Sequence, residues 1–134
     1  MRPLLYRDKK LAYQLHENLS RLYLGANESR RRTLLFGIIA TLGWVAVVSN
    51  MTPLPKSPHV YNHLGMLAVA SCIAASTHRN FNKAVTAQKE SLSLIKKLRT
   101  TRSSEDLHII RLKTQALSQK YPHYLNNHKS RIKD

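Results

Sequence analysis

Two long apolar segments, separated by a proline-rich stretch, dominate the hydrophobic pattern of the chain. They cover residues 34–51 and about 60–77, and Lys56 is the only Lys, Arg, Asp or Glu in or between them. A helix needs roughly 20 apolar residues to cross the hydrocarbon core of a bilayer. Proline interrupts helices because it lacks an N–H and clashes with the preceding turn, and three prolines surround Lys56. The pattern predicts a transmembrane helical hairpin over residues 33–77, with its turn at 52–58.

The arm before the hairpin, residues 1–32, has the leucine spacing of an amphipathic helix. Its leucines recur three, four or seven residues apart, and Arg7, Lys10, Glu17 and Arg21 lie off that stripe. Such a face suits the membrane surface, a partner helix or the C-terminal arm of the same chain, and the sequence leaves the three open. Gly25-Ala26-Asn27 predicts the end of this helix, with Asn27 or Ser29 capping a new one. The stripe consists of Leu4, Leu11, Leu15, Leu19 and Leu22.

The arm after the hairpin, residues 78–134, predicts two further helices and a basic tail. A 3.5-residue period runs to about Leu98, and residues 100–104 break it. Ser103, followed three residues later by Asp106, is a capping-box variant and predicts a helix start there; Pro122 predicts its end. The 3.5-residue period consists of Phe81, Val85, Gln88, Leu92, Ile95 and Arg99, and the second helix carries Leu107, Ile110, Thr114, Leu117 and Tyr121 on one side.

Positive charge is concentrated on both sides of the hairpin. The chain has 22 Lys+Arg against 7 Asp+Glu, and every Lys and Arg except Lys56 lies outside residues 33–77. Lys and Arg close to membrane spans remain on the cytoplasmic side. Both termini are therefore expected in the cytoplasm and the turn outside. The predicted fold class is an all-α, multi-pass membrane protein: a two-helix transmembrane hairpin with an amphipathic N-terminal helix and long cytoplasmic C-terminal helices.

Small residues recur along both apolar segments. They let membrane helices approach closely, where lipid offers no hydrophobic reason for the helices to associate. Two interpretations remain open: the two spans pack against each other within one chain, or spans of different chains pack together and make a homo-oligomer. The predicted packing residues are Gly37, Ala40, Gly43, Gly65, Ala68, Ala70, Cys72 and Ala74.

Residues that carry chemistry are scarce. The sequence has no P-loop, no glycine-rich dinucleotide turn and no HExxH, and its seven Asp and Glu are not spaced as an acid–base pair. The single cysteine, Cys72, lies inside a predicted span, which excludes a disulfide framework and a Cys–His nucleophile. His59 and His63 share one helical face but lack a third ligand, so they are interpreted as interfacial polar residues. We expect no catalytic residue, no metal and no cofactor.

Basic residues in the arms are candidates for contact with anionic lipid or nucleic acid. A triplet directly before the first apolar segment is typical of a topology anchor, and each cation contributes roughly 1 kcal/mol against an anionic leaflet. Lys/Arg clusters also provide phosphate contacts to nucleic acid, and the charge alone does not choose between these ligands. The candidates are Arg30, Arg31 and Arg32, together with Lys96, Lys97, Arg99, Arg102, Arg111 and Lys113.

The order of these elements resembles the SLATT family, bacterial two-transmembrane effector domains associated with nucleotide-signal and other defence systems. The resemblance covers about residues 11–129, with its closest local match in TAQKESLSLIKKLRT at 86–100 and the helix that ends in LSQKYP at 117–122. It implies an effector that perturbs or permeabilises the bacterial inner (plasma) membrane, restrained or triggered by a regulatory protein or nucleoprotein partner. The alternative is a membrane anchor or scaffold whose basic arms hold a protein or nucleic acid.

Overall fold

A computed structural model describes the backbone of residues 6–50 and 60–126 and the side chains of residues 8–49 and 64–126. These residues form four helices and no strand, which confirms the all-α fold class: α1 (Tyr6–Asn50), α2 (Val60–Thr100), α3 (Ser104–Lys120) and α4 (Pro122–Asn126). Within α1, Asp8–Ser49 contains an unburied window with a mean hydropathy of 1.7, long and apolar enough to cross a membrane. The predicted turn at 52–58 lies outside the described residues.

The chain divides into two compact units, and each contains part of α1 and part of α2. We call the first the bundle; its described part comprises residues 6–29, residues 84–100, α3 and α4. We call the second the apolar helix pair, residues 30–50 and 60–83. The predicted hairpin at 33–77 falls inside the second unit.

The leucine stripe of α1 belongs to the core of the bundle. Leu15, Leu19 and Leu22 are buried and join one hydrophobic cluster with residues of α2, α3 and Tyr121. Leu11 is partly buried against that cluster, whereas Leu4 lies outside the described residues. Of the three surfaces that suited this stripe, the C-terminal arm of the same chain is therefore the one it packs against. Burial of each leucine side chain contributes about 1.5–3 kcal/mol.

The buried face of α2 in the bundle differs from the predicted one. Leu92 and Arg99 are exposed, and of the predicted set only Ile95 is buried. Three of the buried positions carry only Ala or Ser, which contribute little to a hydrophobicity pattern. The pattern of the large side chains therefore indicated a different face of the helix. Small side chains let α2 approach its neighbours closely, and the Ser91 hydroxyl is satisfied because it donates to the Ala87 carbonyl oxygen at 2.7 Å. The observed buried positions are Ala84, Ala87, Ser91, Leu94, Ile95 and Leu98.

The predicted helix end at Gly25-Ala26-Asn27 is wrong, since α1 continues through all three residues. Each is used instead for close packing within the bundle. Ala26 is fully buried, and Asn27 Oδ1 accepts a hydrogen bond from Gln88 Nε2 at 3.3 Å. A Cβ at Gly25 would overlap the carbonyl oxygen of Tyr124 in α4. Glycine is therefore required here because another backbone passes directly over it.

Gly25→Ala is expected to lower the free energy of unfolding of the bundle by about 1–3 kcal/mol. The added methyl must push the α4 backbone away, and this outweighs the gain of about 1 kcal/mol in helix propensity. The measurement is the urea midpoint of thermolysin cleavage, after a short pulse, on the full chain in a neutral detergent. Gly43→Ala is the control, because nothing lies within 4 Å of a Cβ at that position. An unchanged midpoint for Gly25→Ala would contradict the close approach of α4.

Helix α3 begins and ends as the sequence predicts. Ser103 is the N-cap, and its hydroxyl oxygen accepts from the Glu105 backbone N–H at 3.3 Å. The helix ends at Lys120 with Tyr121 as C-cap, and Pro122 starts α4, where a missing N–H has no consequence. The five residues predicted to share one side of this segment are all buried: Leu107, Ile110, Thr114, Leu117 and Tyr121.

Candidate functional site

The apolar helix pair presents large aliphatic side chains outward. Leu42 is 64% exposed and Val69 is 60% exposed. None of the described side chains from Leu34 to Ser49 or from Leu64 to Ser76 is charged. Monomeric soluble proteins rarely expose an apolar surface of this extent, and such a surface is typical of contact with lipid or with another protein. Further exposed members are Leu34, Leu35, Phe36, Ile38, Ile39, Trp44, Val45, Val48, Leu64, Met66 and Ile73.

The two segments of this unit run antiparallel and leave two grooves between them. At one end, Gly37 approaches Thr77, whose Cγ2 would lie 3.6 Å from a Cβ at Gly37. This region lines a groove of about 460 Å³ that also includes Ala74 and Phe81. A second groove, of about 560 Å³, lies between residues 36–47 and 65–73 and is almost wholly apolar. We call this one the apolar groove.

The apolar groove contains half of the predicted packing residues, namely Ala40, Gly43, Gly65 and Ala70. Nothing lies within 4 Å of a Cβ built at Gly43 or at Gly65. These glycines therefore border open space, and packing between the two segments of one chain does not use them. Gly37 and Ala74 line the other groove, whereas Ala68 and Cys72 are exposed and lie outside both.

Hydroxyl groups in the apolar helix pair bond to their own helices. Thr41 Oγ1 donates to the Gly37 carbonyl oxygen and Ser71 Oγ to that of Leu67, each at 2.8 Å. Thr77 Oγ1 donates to the Ile73 carbonyl oxygen at 2.7 Å. Such bonds satisfy hydroxyls without water, so these side chains do not require a polar path.

Residues that could hold a metal do not converge in the described part of the chain. No group of three or more His, Cys, Asp or Glu lies close enough together there. His59 lies outside the described residues, as does the side chain of His63.

The predicted basic contacts fall on different surfaces. Arg31 and Arg32 are exposed and Arg30 is half-buried, all three within the unit 30–83. In the bundle, only Lys97 and Lys113 of the predicted set line a common groove, of about 560 Å³ between α2 and α3. The remaining candidates, Lys96, Arg99, Arg102 and Arg111, are exposed outside that groove.

The groove between α2 and α3, which we call the lysine groove, also includes two cations that the sequence analysis did not select. Lys89 and Lys120 line its other end, where Lys120 Nζ lies 3.2 Å from Glu90 Oε1. Lys120 Nζ also lies 5.1 Å from the centre of the Tyr121 ring. A signal was present in the sequence: Lys113 and Lys120 are seven residues apart, which places them on one helical face.

Two groups of the bundle have displaced pKa values. The pKa of Lys120 is raised by the Tyr121 hydroxyl, and further by its hydrogen bond and ion pair with Glu90. Burial raises the pKa of Tyr124, although a hydrogen bond with Ser29 partly opposes this. Lys120 is therefore held as a cation and Tyr124 as a neutral phenol around neutral pH.

No protein-family model, curated protein or solved structure matches this chain. The assignment of function therefore depends on the surfaces described above.

Proposed function

We propose that the apolar helix pair is a two-span hairpin in a lipid bilayer, and that copies of the chain assemble there and permeabilise the membrane. The observation that carries the first step is the outward exposure of aliphatic side chains along both segments, with no charged side chain among the described residues between Leu34 and Ser76. Exposure of this apolar surface to water would cost about 25 cal/mol per Å². In hydrocarbon it has no such cost.

The distribution of charge supports one orientation. Arg30, Arg31 and Arg32 directly precede the first apolar segment, and Arg79 and Lys83 follow the second. Cations at these positions are retained on the cytoplasmic side. We therefore place the bundle and both arms in the cytoplasm, and the proline-rich stretch on the opposite side of the bacterial inner membrane.

The apolar groove supports assembly of several copies. One chain supplies only two spans, which is too few to enclose an aqueous path. Gly43 and Gly65 leave space beside the backbone where a helix of a second copy can approach closely. An assembly of this kind agrees with the effector role that the resemblance to SLATT proteins implies.

Induction of the full chain in bacteria, without other components, is expected to depolarise the inner membrane. Gly65→Leu/Ala70→Leu fills the apolar groove and should reduce the rate of depolarisation by about tenfold or more. Ala68→Leu/Cys72→Leu is the matched control, because these residues lie on the same helix outside both grooves. The measurement is a voltage-sensitive dye, with membrane amounts matched by immunoblotting. Undisturbed potential with the wild-type chain in the membrane, or equal effects of both double variants, would contradict the proposal.

A second candidate function is a membrane anchor that holds a partner through the bundle. The lysine groove favours it, because three of its four lysines have no ion pair with any acidic side chain in the described part of the chain.

A further inference from the structure

The lysine groove has positive charge at both ends and an aliphatic floor. Lys97 and Lys113 lie at one end, and Lys89 and Lys120 at the other. Between them the floor consists of Leu94 and Leu117, with the small side chains of Ser93 and Ala116 at the rim. Seven residues separate the two lysines of α3, which places them about 10 Å apart along the helix axis.

The lining of this groove does not suit a nucleic acid. Sites for single strands combine cations with aromatic side chains on which bases stack, and no aromatic side chain lines the groove. Glu90 adds a negative charge inside it, 3.2 Å from Lys120 Nζ. Glu90 pairs with Lys120, so a ligand at this end meets Lys89 as the cation without an acidic partner in the described part of the chain.

The lining does not suit a small phosphorylated ligand either. Compact phosphate sites use bidentate arginines or the backbone N–H groups of a helix N-terminus, and lysine serves there as an additional point charge. All four cations here are lysines, none of them lies at a helix N-terminus, and no arginine lines the groove. Lysines that rim an open trough with an aliphatic floor match an amphipathic helix laid into a groove.

Residues 1–134 do not contain such a helix. Its seven acidic residues are Asp8, Glu17, Glu28, Glu90, Glu105, Asp106 and Asp134, and no two of them are seven or eight residues apart. A second copy has the same sequence and a net charge of +15, so it brings repulsion to this groove. A different protein with acidic residues at that spacing is the occupant that matches the charge of the groove.

We propose that the lysine groove binds an acidic, amphipathic helix of a partner protein. Carboxylates seven residues apart on that helix pair with the lysines at the two ends, and its apolar side chains cover Leu94 and Leu117. The inference rests on the second function proposed above, the anchor, and is independent of whether the hairpin permeabilises membranes.

The test is a binding measurement on the full chain in a neutral detergent. The probe is a fluorescein-labelled, alanine-based peptide of about 18 residues, long enough to form a helix. It carries two glutamates seven residues apart and leucines between them on the same face. We expect a Kd of about 10 µM by fluorescence anisotropy at moderate salt. The same peptide with glutamine in place of glutamate should bind at least about tenfold more weakly.

Charge reversal in the groove separates local contact from overall charge. Lys97→Glu/Lys113→Glu should weaken binding by about tenfold or more. Lys96→Glu/Arg111→Glu is the matched control: it changes net charge equally, on the same two helices, outside the groove, and should change the Kd by less than about threefold. A peptide with lysine in place of glutamate should bind the Lys97→Glu/Lys113→Glu chain at least about tenfold more tightly than the wild-type chain. Such rescue excludes misfolding.

Three outcomes would overturn the inference. One is no binding of the acidic peptide to the wild-type chain up to about 1 mM. Another is that Lys97→Glu/Lys113→Glu and its control weaken binding of the acidic peptide equally, which would show that the attraction is non-specific. The third is tighter binding of inositol hexakisphosphate or a single-stranded oligonucleotide that depends on the same lysines. Since the assay uses detergent and peptide, failure here and failure to depolarise cells are separate results.

Discussion

Leu42→Asp/Val45→Asp is expected to release the chain from membranes into the soluble or aggregated fraction. The two side chains are 64% and 56% exposed in the apolar helix pair, near the middle of the first apolar segment. An aspartate near the centre of a membrane helix costs about 2.5–3.5 kcal/mol, so the pair costs about 5–7 kcal/mol. This removes most of the driving force for insertion of that segment. The measurement is the fraction of the chain that resists alkaline carbonate extraction of isolated membranes.

Ile109→Asp/Leu112→Asp is the matched control for membrane insertion. These residues have the same spacing of three, lie on α3 in the bundle, and are 51% and 55% exposed. If the bundle is in the cytoplasm, this variant remains in the membrane fraction at the wild-type level. Retention of Leu42→Asp/Val45→Asp in the membrane would argue against a span at residues 34–51. Loss of both variants would place α3 in lipid as well.

Leu19→Ala is expected to destabilise the bundle by about 2–5 kcal/mol. Leu19 is fully buried in the cluster shared by α1, α2 and α3, so the substitution removes three carbon atoms and leaves a cavity. Small domains are stable by only about 5–15 kcal/mol, and this loss is a large fraction of that. The expected result is a lower urea midpoint for thermolysin cleavage of the full chain.

Leu24→Ala on the same helix is the control for Leu19→Ala. Leu24 is 47% exposed, and its truncation should change the free energy of unfolding by less than about 1 kcal/mol. Similar midpoints for the two variants would mean that the leucine stripe of α1 is not part of the bundle core in solution. Neither substitution lies in the apolar helix pair. The properties of that unit should therefore be the same in both variants, and they serve as an internal reference.

The sequence by itself determined the elements whose patterns consist of large side chains or strong caps. Leu15, Leu19 and Leu22 of the stripe are buried, as is the face from Leu107 to Tyr121, because several large residues in register leave one possible core side. Ser103 and Pro122 fixed the ends of α3 through local hydrogen bonding and a missing N–H. The two apolar segments were likewise evident from the absence of charge, and one of them belongs to a helix, α1, that is long and apolar enough to cross a membrane.

Only the tertiary structure decided what depends on a neighbouring helix. Ala87 and Ser91 are buried because another helix approaches them, and small side chains carry no such information in isolation. Gly25 is a residue type typical of helix ends, yet here it lies within α1 and leaves room for the α4 backbone. Lys97 and Lys113 share a groove with Lys89 and Lys120 only because α2 and α3 pack side by side. Charge and hydrophobicity can be read from each residue in the sequence, whereas a groove depends on how closely two helices pack.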